Sequence, residues 1–134
     1  MYAGRLVRAV SRRASHDVPA ATLRLLSQVE ELGPITIGHL AQADRCSQPT
    51  MSSAVQNLVD KGWAAKRPNP ADARSSLVHL TDAGREVLGS TRRKNAEVVA
   101  LRLAVDPQHD VQDLESAVAL LRGLLDQHPE EGSK

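Results

Sequence analysis

The chain has 134 residues, a mass of 14.5 kDa and a formal net charge of +1. This length fits one domain. A content of 41% hydrophobic and 25% charged residues is ordinary for a globular protein and excludes a wholly disordered chain. No apolar run approaches the roughly 20 residues of a membrane-spanning helix. Residues 1–19 contain arginines but no continuous apolar stretch, so neither a signal peptide nor a membrane partner is expected.

The single cysteine, Cys46, excludes an internal disulfide framework and favours a reducing compartment. We therefore expect a cytoplasmic, nucleoid-associated protein in which Cys46 packs as a small apolar side chain. The five histidines are scattered without the spacing of metal ligands, so no metal and no cofactor are expected. The chain has no Phe and only 1% aromatic residues, which argues against nucleic-acid binding by base stacking.

Charge is distributed unevenly along the chain. Residues 45–76 contain five basic and two acidic side chains, whereas residues 106–134 contain seven acidic and two basic ones. A basic middle and an acidic end predict a polyanionic partner that contacts one face only.

The predicted elements, in chain order, are mostly helices separated by short breaks. Apolar residues at helical spacing predict helices over residues 3–14, 20–32, 36–43 and 47–61, a long helix from 81 to about 105, and a last helix over 110–127. Thr36 and Ser47 are typical N-cap residues, and Gly62 is a typical C-terminal stop. Two strands, over residues 64–67 and 76–80, are expected to flank a loop rich in turn formers.

The helix after Ser47 has two distinct faces. Its inner stripe consists of Met51, Ala54, Val55 and Leu58, while Gln48, Ser52 and Gln56 line up at i, i+4 and i+8 on the outer face. Two short helices with a break of three to four residues, followed by a hairpin with a basic tip, predict a winged helix-turn-helix. The fold class is then mainly α with a small β-hairpin wing. A helix of this kind fits the major groove, and the cationic loop reaches phosphates or the minor groove.

Several motifs resemble the multiple-antibiotic-resistance (MarR) family of regulators. They are Leu40-Ala41, Ser47-x-x-Thr50-Met51-Ser52, Leu58-Val59-Asp60-Lys61-Gly62-Trp63, Lys66-Arg67, Pro70-Ala71-Asp72-Ala73-Arg74-Ser75 and Leu80-Thr81-Asp82-Ala83-Gly84-Arg85. The similarity is close from about residue 19 to 88 and only a pattern in the outer helices. It implies one MarR-like domain over residues 1–134. Residues 19–88 would form the winged core, 1–18 and 89–128 the dimerisation helices, and 129–134 a frayed tail.

The resemblance also implies a function: a homodimeric regulator that binds a pseudo-palindromic double-stranded DNA operator, with repression favoured. Arg74 would enter the minor groove, steadied by the carboxylate of Asp72. The implied DNA-binding residues are Arg45, Ser47, Gln48, Pro49, Thr50, Ser52, Ser53, Gln56, Lys66, Arg67, Asp72, Arg74 and Ser75. Many family members bind small aromatic or phenolic effectors in a cleft between the dimerisation and DNA-binding parts. Here that cleft would lie where the first and second helices meet the long fifth helix, and Arg12, Arg13 and His16 are candidate polar partners.

Other interpretations stay open beside this one. Asp72 and Arg74 are compatible with a solvated surface pair, and the outer face of the helix after Ser47 with an ordinary wet surface. No nucleophile elbow, phosphate-binding loop or zinc-protease motif is present, so an enzyme is not expected. The main alternative is a winged-helix protein-interaction module without DNA binding. Ser53 and Asn57 favour it, because the family often has basic residues there, whereas Arg67 and Arg74 argue against it.

The last helix contains a continuous apolar stripe that is expected to form a dimer seam rather than core within one chain. The stripe consists of Val111, Leu114, Val118, Leu121 and Leu125.

Overall fold

Helices make up most of the computed structural model, which describes residues 1–14 and 17–126. The elements in chain order are α1 (Tyr2–Arg13), α2 (Ala20–Leu32), β1 (Ile35–Thr36), α3 (Ile37–Ala43), α4 (Gln48–Asp60), β2 (Ala64–Pro68), β3 (Ser76–Leu80), α5 (Asp82–Ala104) and α6 (Val111–Asp126). The predicted class, mainly α with a small β wing, is confirmed. The predicted frayed tail, residues 129–134, lies outside the described residues.

Contacts divide the chain into two compact units, residues 1–95 and residues 96–134. The first unit contains the hydrophobic core, which α2, α3, α4, the sheet and the start of α5 build together. Leu26, Leu40, Val55 and Val78 are completely buried. The predicted inner stripe of α4 is confirmed, with Met51, Val55 and Leu58 buried and Ala54 packed against the core. In α2, the last residue, Leu32, is exposed.

Side-chain caps begin the two helices of the helix-turn-helix as predicted. The Thr36 hydroxyl accepts a hydrogen bond from the His39 N–H at 3.2 Å, and the Ser47 hydroxyl accepts one from the Thr50 N–H at 3.3 Å. Each cap satisfies an amide that a helix start leaves without an intrahelical partner. Gly62, which follows the Lys61 C-cap of α4, has a φ of 73° that suits glycine.

The turn between α3 and α4 is tied to α2 through Asp44. The Asp44 carboxylate accepts hydrogen bonds from Gln28 Nε2 at 3.2 Å and from the Arg24 guanidinium, whose Nε lies 3.2 Å from Asp44 Oδ1. The next residue, Arg45, adopts a left-handed φ of 52°, and the Cys46 N–H then donates to the Ala41 carbonyl at 3.0 Å. Cys46 is half-buried against the core, as expected.

The wing belongs to a three-stranded antiparallel sheet with strand order β1-β3-β2. Ala64 pairs with Leu80 and Pro68 with Ser76, which places the loop over residues 69–75 at the tip of the β2–β3 hairpin. The two-residue strand β1 was not predicted. It pairs Ile35 with Val78 and closes the sheet against the start of α3.

The start of α5 is anchored to the root of the wing. Thr81 Oγ1 donates to the Gly62 carbonyl at 2.6 Å and accepts from the Gly84 N–H at 3.1 Å, while the Thr81 N–H donates to the Trp63 carbonyl at 3.1 Å. Gly84 is buried directly against the Trp63 backbone, where a Cβ atom would overlap the carbonyl group. The Leu-Thr-x-x-Gly motif therefore allows the first turn of α5 to pack directly on the backbone of residues 62–63.

The second unit has no buried residue among those described. In α6 the predicted apolar stripe is present but uncovered, with fractional exposures from 38% at Leu114 to 80% at Leu125. Of the helices in residues 1–14 and 17–126, none is both long and apolar enough to cross a lipid bilayer. In the same ranges, no three or more metal-ligating side chains come together.

Candidate nucleic-acid interface

The first turn of α4 presents polar groups to solvent. Ser47, Gln48, Pro49 and Thr50 are all exposed, with Pro49 in the first turn where a missing N–H costs no hydrogen bond. The Ser47 and Thr50 hydroxyls lie 2.7 Å apart, so the cap also orients Thr50. The sequence therefore builds a rigid helix start with an unobstructed Gln48 amide.

The loop at the tip of the wing is held by its own short polar side chains. Asp72 Oδ1 accepts a hydrogen bond from the Arg74 N–H at 2.9 Å, and Asn69 Nδ2 donates to Ser75 Oγ at 2.9 Å. Asp72 thus steadies the backbone of Arg74 rather than its guanidinium. Across the described residues no ion pair involves Arg74, whose side chain is exposed. A cation displayed in this way is available to a phosphate.

A cleft of about 530 Å³ separates the wing from the helix-turn-helix. It brings together five of the predicted DNA-binding residues from three parts of the chain, namely Gln48, Lys66, Asp72, Arg74 and Ser75. Arg45 lies in a neighbouring cleft of about 460 Å³, which Gln48 also lines. The α4 start, the wing and the α3–α4 turn thus converge around one glutamine.

The side chains of Lys66 and Gln56 are hydrogen-bonded to each other. Lys66 Nζ donates to Gln56 Oε1 at 3.1 Å, and Gln56 Nε2 donates to Asp60 Oδ1 at 2.9 Å. Both ends of the Gln56 amide are therefore engaged, and the glutamine orients Lys66 along the edge of α4. The amide keeps one further N–H and one further lone pair, so Gln56 would read a base edge in the orientation that Lys66 and Asp60 impose.

The other predicted DNA-binding residues lie apart from the wing cleft. Thr50 and Ser53 line a different cleft of about 480 Å³ between α2 and α4, and Ser52 is half-buried. Arg67 is exposed on β2 and, by the alternation of a strand, points to the opposite face of the hairpin from Lys66. These residues therefore add surfaces of α4 and of the hairpin beside the wing cleft, and their contact with DNA stays a prediction.

Two of the three candidate effector residues, Arg12 and Arg13, lie in the last turn of α1. A cleft of about 310 Å³, lined among others by Asp17, Val87 and Lys94, lies in the predicted region near α5. Arg12 and Arg13 are exposed in the last turn of α1 and do not line it. His16 lies outside the described residues.

His39 is the residue at the interface that the sequence did not single out. It is exposed on the first turn of α3 and lines both the wing cleft and the neighbouring cleft of Arg45. No hydrogen bond or ion pair of its ring is found in the described part of the chain. No local motif marks His39, because the wing reaches it from more than 25 positions further along the chain.

Comparison with known proteins agrees with this geometry. A model of the MarR family matches residues 16–75. An uncharacterized HTH-type transcriptional regulator of Mycobacterium bovis is 32% identical over 118 residues, covering 88% of this chain and 82% of that protein. The chain belongs to the MarR family. It is therefore a transcriptional regulator rather than an enzyme.

Solved structures of MarR-family proteins share the fold. The multiple antibiotic resistance repressor MarR superposes with a TM-score of 0.73 at 24% identity, covering 93% of this chain and 90% of that one. A MepR variant of S. aureus bound to an oligodeoxyribonucleotide gives a TM-score of 0.66 at 19% identity, with 92% and 94% covered. The MarR-type winged helix is thus present over most of the chain.

Proposed function

We propose that the chain is a homodimeric, sequence-specific binder of double-stranded DNA that represses transcription at a pseudo-palindromic operator. The main support is the wing cleft, which Gln48 at the start of α4 lines together with Lys66 and Arg74. A glutamine at a helix start can pair with adenine through both groups of its amide, and flanking cations can bind phosphates. The MepR variant was solved with an oligodeoxyribonucleotide, and the MarR structure carries the name of a repressor.

The proposal has two further parts, the dimer and a small-molecule effector. A dimer is favoured by the uncovered stripe of α6, and its two-fold symmetry would place half-sites about one turn, roughly 34–36 Å, apart. A small aromatic or phenolic effector that lowers DNA affinity is implied by the family. Such an effector must bind one state of the dimer more tightly than the other. Binding of salicylate-like compounds, followed by their effect on DNA affinity, tests this part.

Arg74→Ala and Gln48→Ala are expected to change DNA binding in different ways. Arg74 would read groove potential, so its loss should weaken binding to operator and random DNA together. The log–log salt slope should then fall by about one unit for each lost phosphate contact. Gln48→Ala should reduce the ratio of operator to random binding by about 1–3 kcal/mol per contact and leave the salt slope unchanged. Fluorescence-anisotropy titrations at several salt concentrations measure both effects.

A mobility-shift assay with genomic fragments supplies the operator for those titrations. Ser116→Asp, on α6 and absent from the clefts, serves as a matched surface control. If Arg74→Ala leaves both affinities intact in a folded protein, the wing assignment is wrong. The winged-helix interaction module, favoured by the uncharged Ser53 and Asn57, then becomes the better explanation.

A further inference from the structure

The His39 ring lies where the two clefts of the interface meet. It lines the wing cleft with Gln48, Lys66 and Arg74, and the neighbouring cleft with Gln48 and Arg45. Its backbone N–H is used by the Thr36 cap, which fixes the first turn of α3. The ring itself is exposed and has no hydrogen bond or ion pair with any described residue.

The charges around this ring favour an anionic ligand. Lys66 and Arg74 line the wing cleft together with His39, and Arg45 lines the neighbouring cleft with it. The Lys66 ammonium is at the same time bonded to Gln56. Asp72 is the carboxylate of the wing cleft, and its Oδ1 atom already accepts the Arg74 N–H. Cys46, the other titratable group lining these clefts, is half-buried against the core. Cations therefore outnumber carboxylates around His39.

We propose that His39 is a further DNA-contacting residue, whose imidazolium form binds a backbone phosphate beside the wing and makes DNA affinity dependent on pH. The proposal rests on the proposed function and adds a residue and a regulation to it. Histidine is the side chain that ordinarily changes charge between about pH 5 and 8. A phosphate beside the ring favours the charged form, so binding takes up a proton.

The sign of the effect follows from that proton uptake. Protonated His39 contributes a cation–phosphate contact at low pH, and this contribution is lost at higher pH where the ring carries no charge. Affinity should therefore be about three- to tenfold higher per subunit at about pH 5.5 than at about pH 8, with a steeper salt dependence at the lower pH. The effect should be the same for operator and random DNA, because phosphates carry no sequence information.

The test uses anisotropy titrations of the full chain with a fluorescein-labelled random duplex of roughly 30 base pairs, long enough for two half-sites. His39→Gln should bind weakly at both pH values, without the gain in affinity that the wild type shows at about pH 5.5. His39→Lys should hold the tight binding at every pH. His109→Gln is the matched control, because His109 is exposed, contacts Asp106 and does not line either cleft. It should behave like the wild type.

Three outcomes overturn the proposal. If His39→Gln retains the full pH dependence of the wild type, another group titrates. If the wild type binds tightly and equally at both pH values, His39 makes no protonation-dependent contact, although the proposed function stands. If the folded wild type binds no DNA at either pH, the proposed function fails and this inference fails with it. Circular dichroism at each pH verifies that every variant is folded.

Discussion

At the scale of single residues, Arg45 is the most unusual position. Its left-handed φ of 52° costs a residue other than glycine about 1–2 kcal/mol. The conformation is imposed from both sides, because Asp44 is held by α2 and the Cys46 N–H closes onto Ala41. A strained arginine next to the start of α4 is consistent with a role of its positive charge in binding rather than in stability.

Replacing Arg45 by glycine should therefore stabilise the fold while weakening DNA binding. We expect Arg45→Gly to have a free energy of unfolding about 0.5–1 kcal/mol higher than Arg45→Ala, which keeps the strain but also lacks the charge. Urea denaturation measures the difference. Both variants should lose similar DNA affinity, and equal stability of the two would show that the backbone at residue 45 is not strained.

How far single residues could be predicted depends on the sequence distance of their partners. Thr36 and Ser47 were predicted as caps, because each bonds an amide three residues away. Gln56 was predicted as a base reader from its helical face, but its Lys66 partner lies ten residues on. His39 was not predicted at all, since only folding places it near Arg74.

At the scale of elements, local patterns predicted every helix and both strands of the hairpin. The strand β1 was missed because it follows Gly33-Pro34 directly and its second residue, Thr36, is already the helix cap, so no alternation can develop. Its pairing with Leu77 and Val78 is entirely long-range. The bounds differ from the predictions by at most one residue, within the usual uncertainty of helix ends.

The packing of α5 on the wing root leaves no room for a side chain at Gly84. A Cβ atom there would overlap the Trp63 carbonyl, so Gly84→Ala must push the helix from the turn. We expect a loss of about 1–3 kcal/mol in the free energy of unfolding, measured by urea or thermal denaturation.

Gly89, one and a half turns along the same helix, provides the matched control for Gly84. A Cβ atom at Gly89 would meet only the end of the flexible Arg93 side chain, at 3.4 Å. Gly89→Ala should be neutral or stabilising by up to about 1 kcal/mol, because alanine is the better helix former. Equal effects of the two substitutions would contradict the close approach at Gly84.

At the scale of the whole molecule, the question is what covers α6. Its apolar stripe is exposed over four turns, although five large apolar side chains on one helix face favour burial. The stripe could be predicted from sequence because its spacing is regular. The dimer seam expected to cover it stays a prediction, since a seam between two copies and an intrachain core require the same pattern.

Leu121→Asp should dissociate the proposed homodimer. Its carboxylate would be buried without a partner in the seam, which is far more costly than leaving it in water. Light scattering coupled to size exclusion should then give a monomer mass at micromolar concentration. Ser116→Asp adds the same charge on the opposite face of α6 and should remain dimeric. A monomeric wild type under these conditions would contradict the homodimer.

The Thr81 hydroxyl links two segments that are otherwise separate in the chain. It donates to the Gly62 carbonyl and accepts from the Gly84 amide, while the Thr81 amide is bonded to Trp63. The wing root therefore cannot open without releasing the first turn of α5. In hydrogen–deuterium exchange, the Thr81 and Gly84 amides should share one protection factor and respond together to denaturant, as members of one cooperative unit.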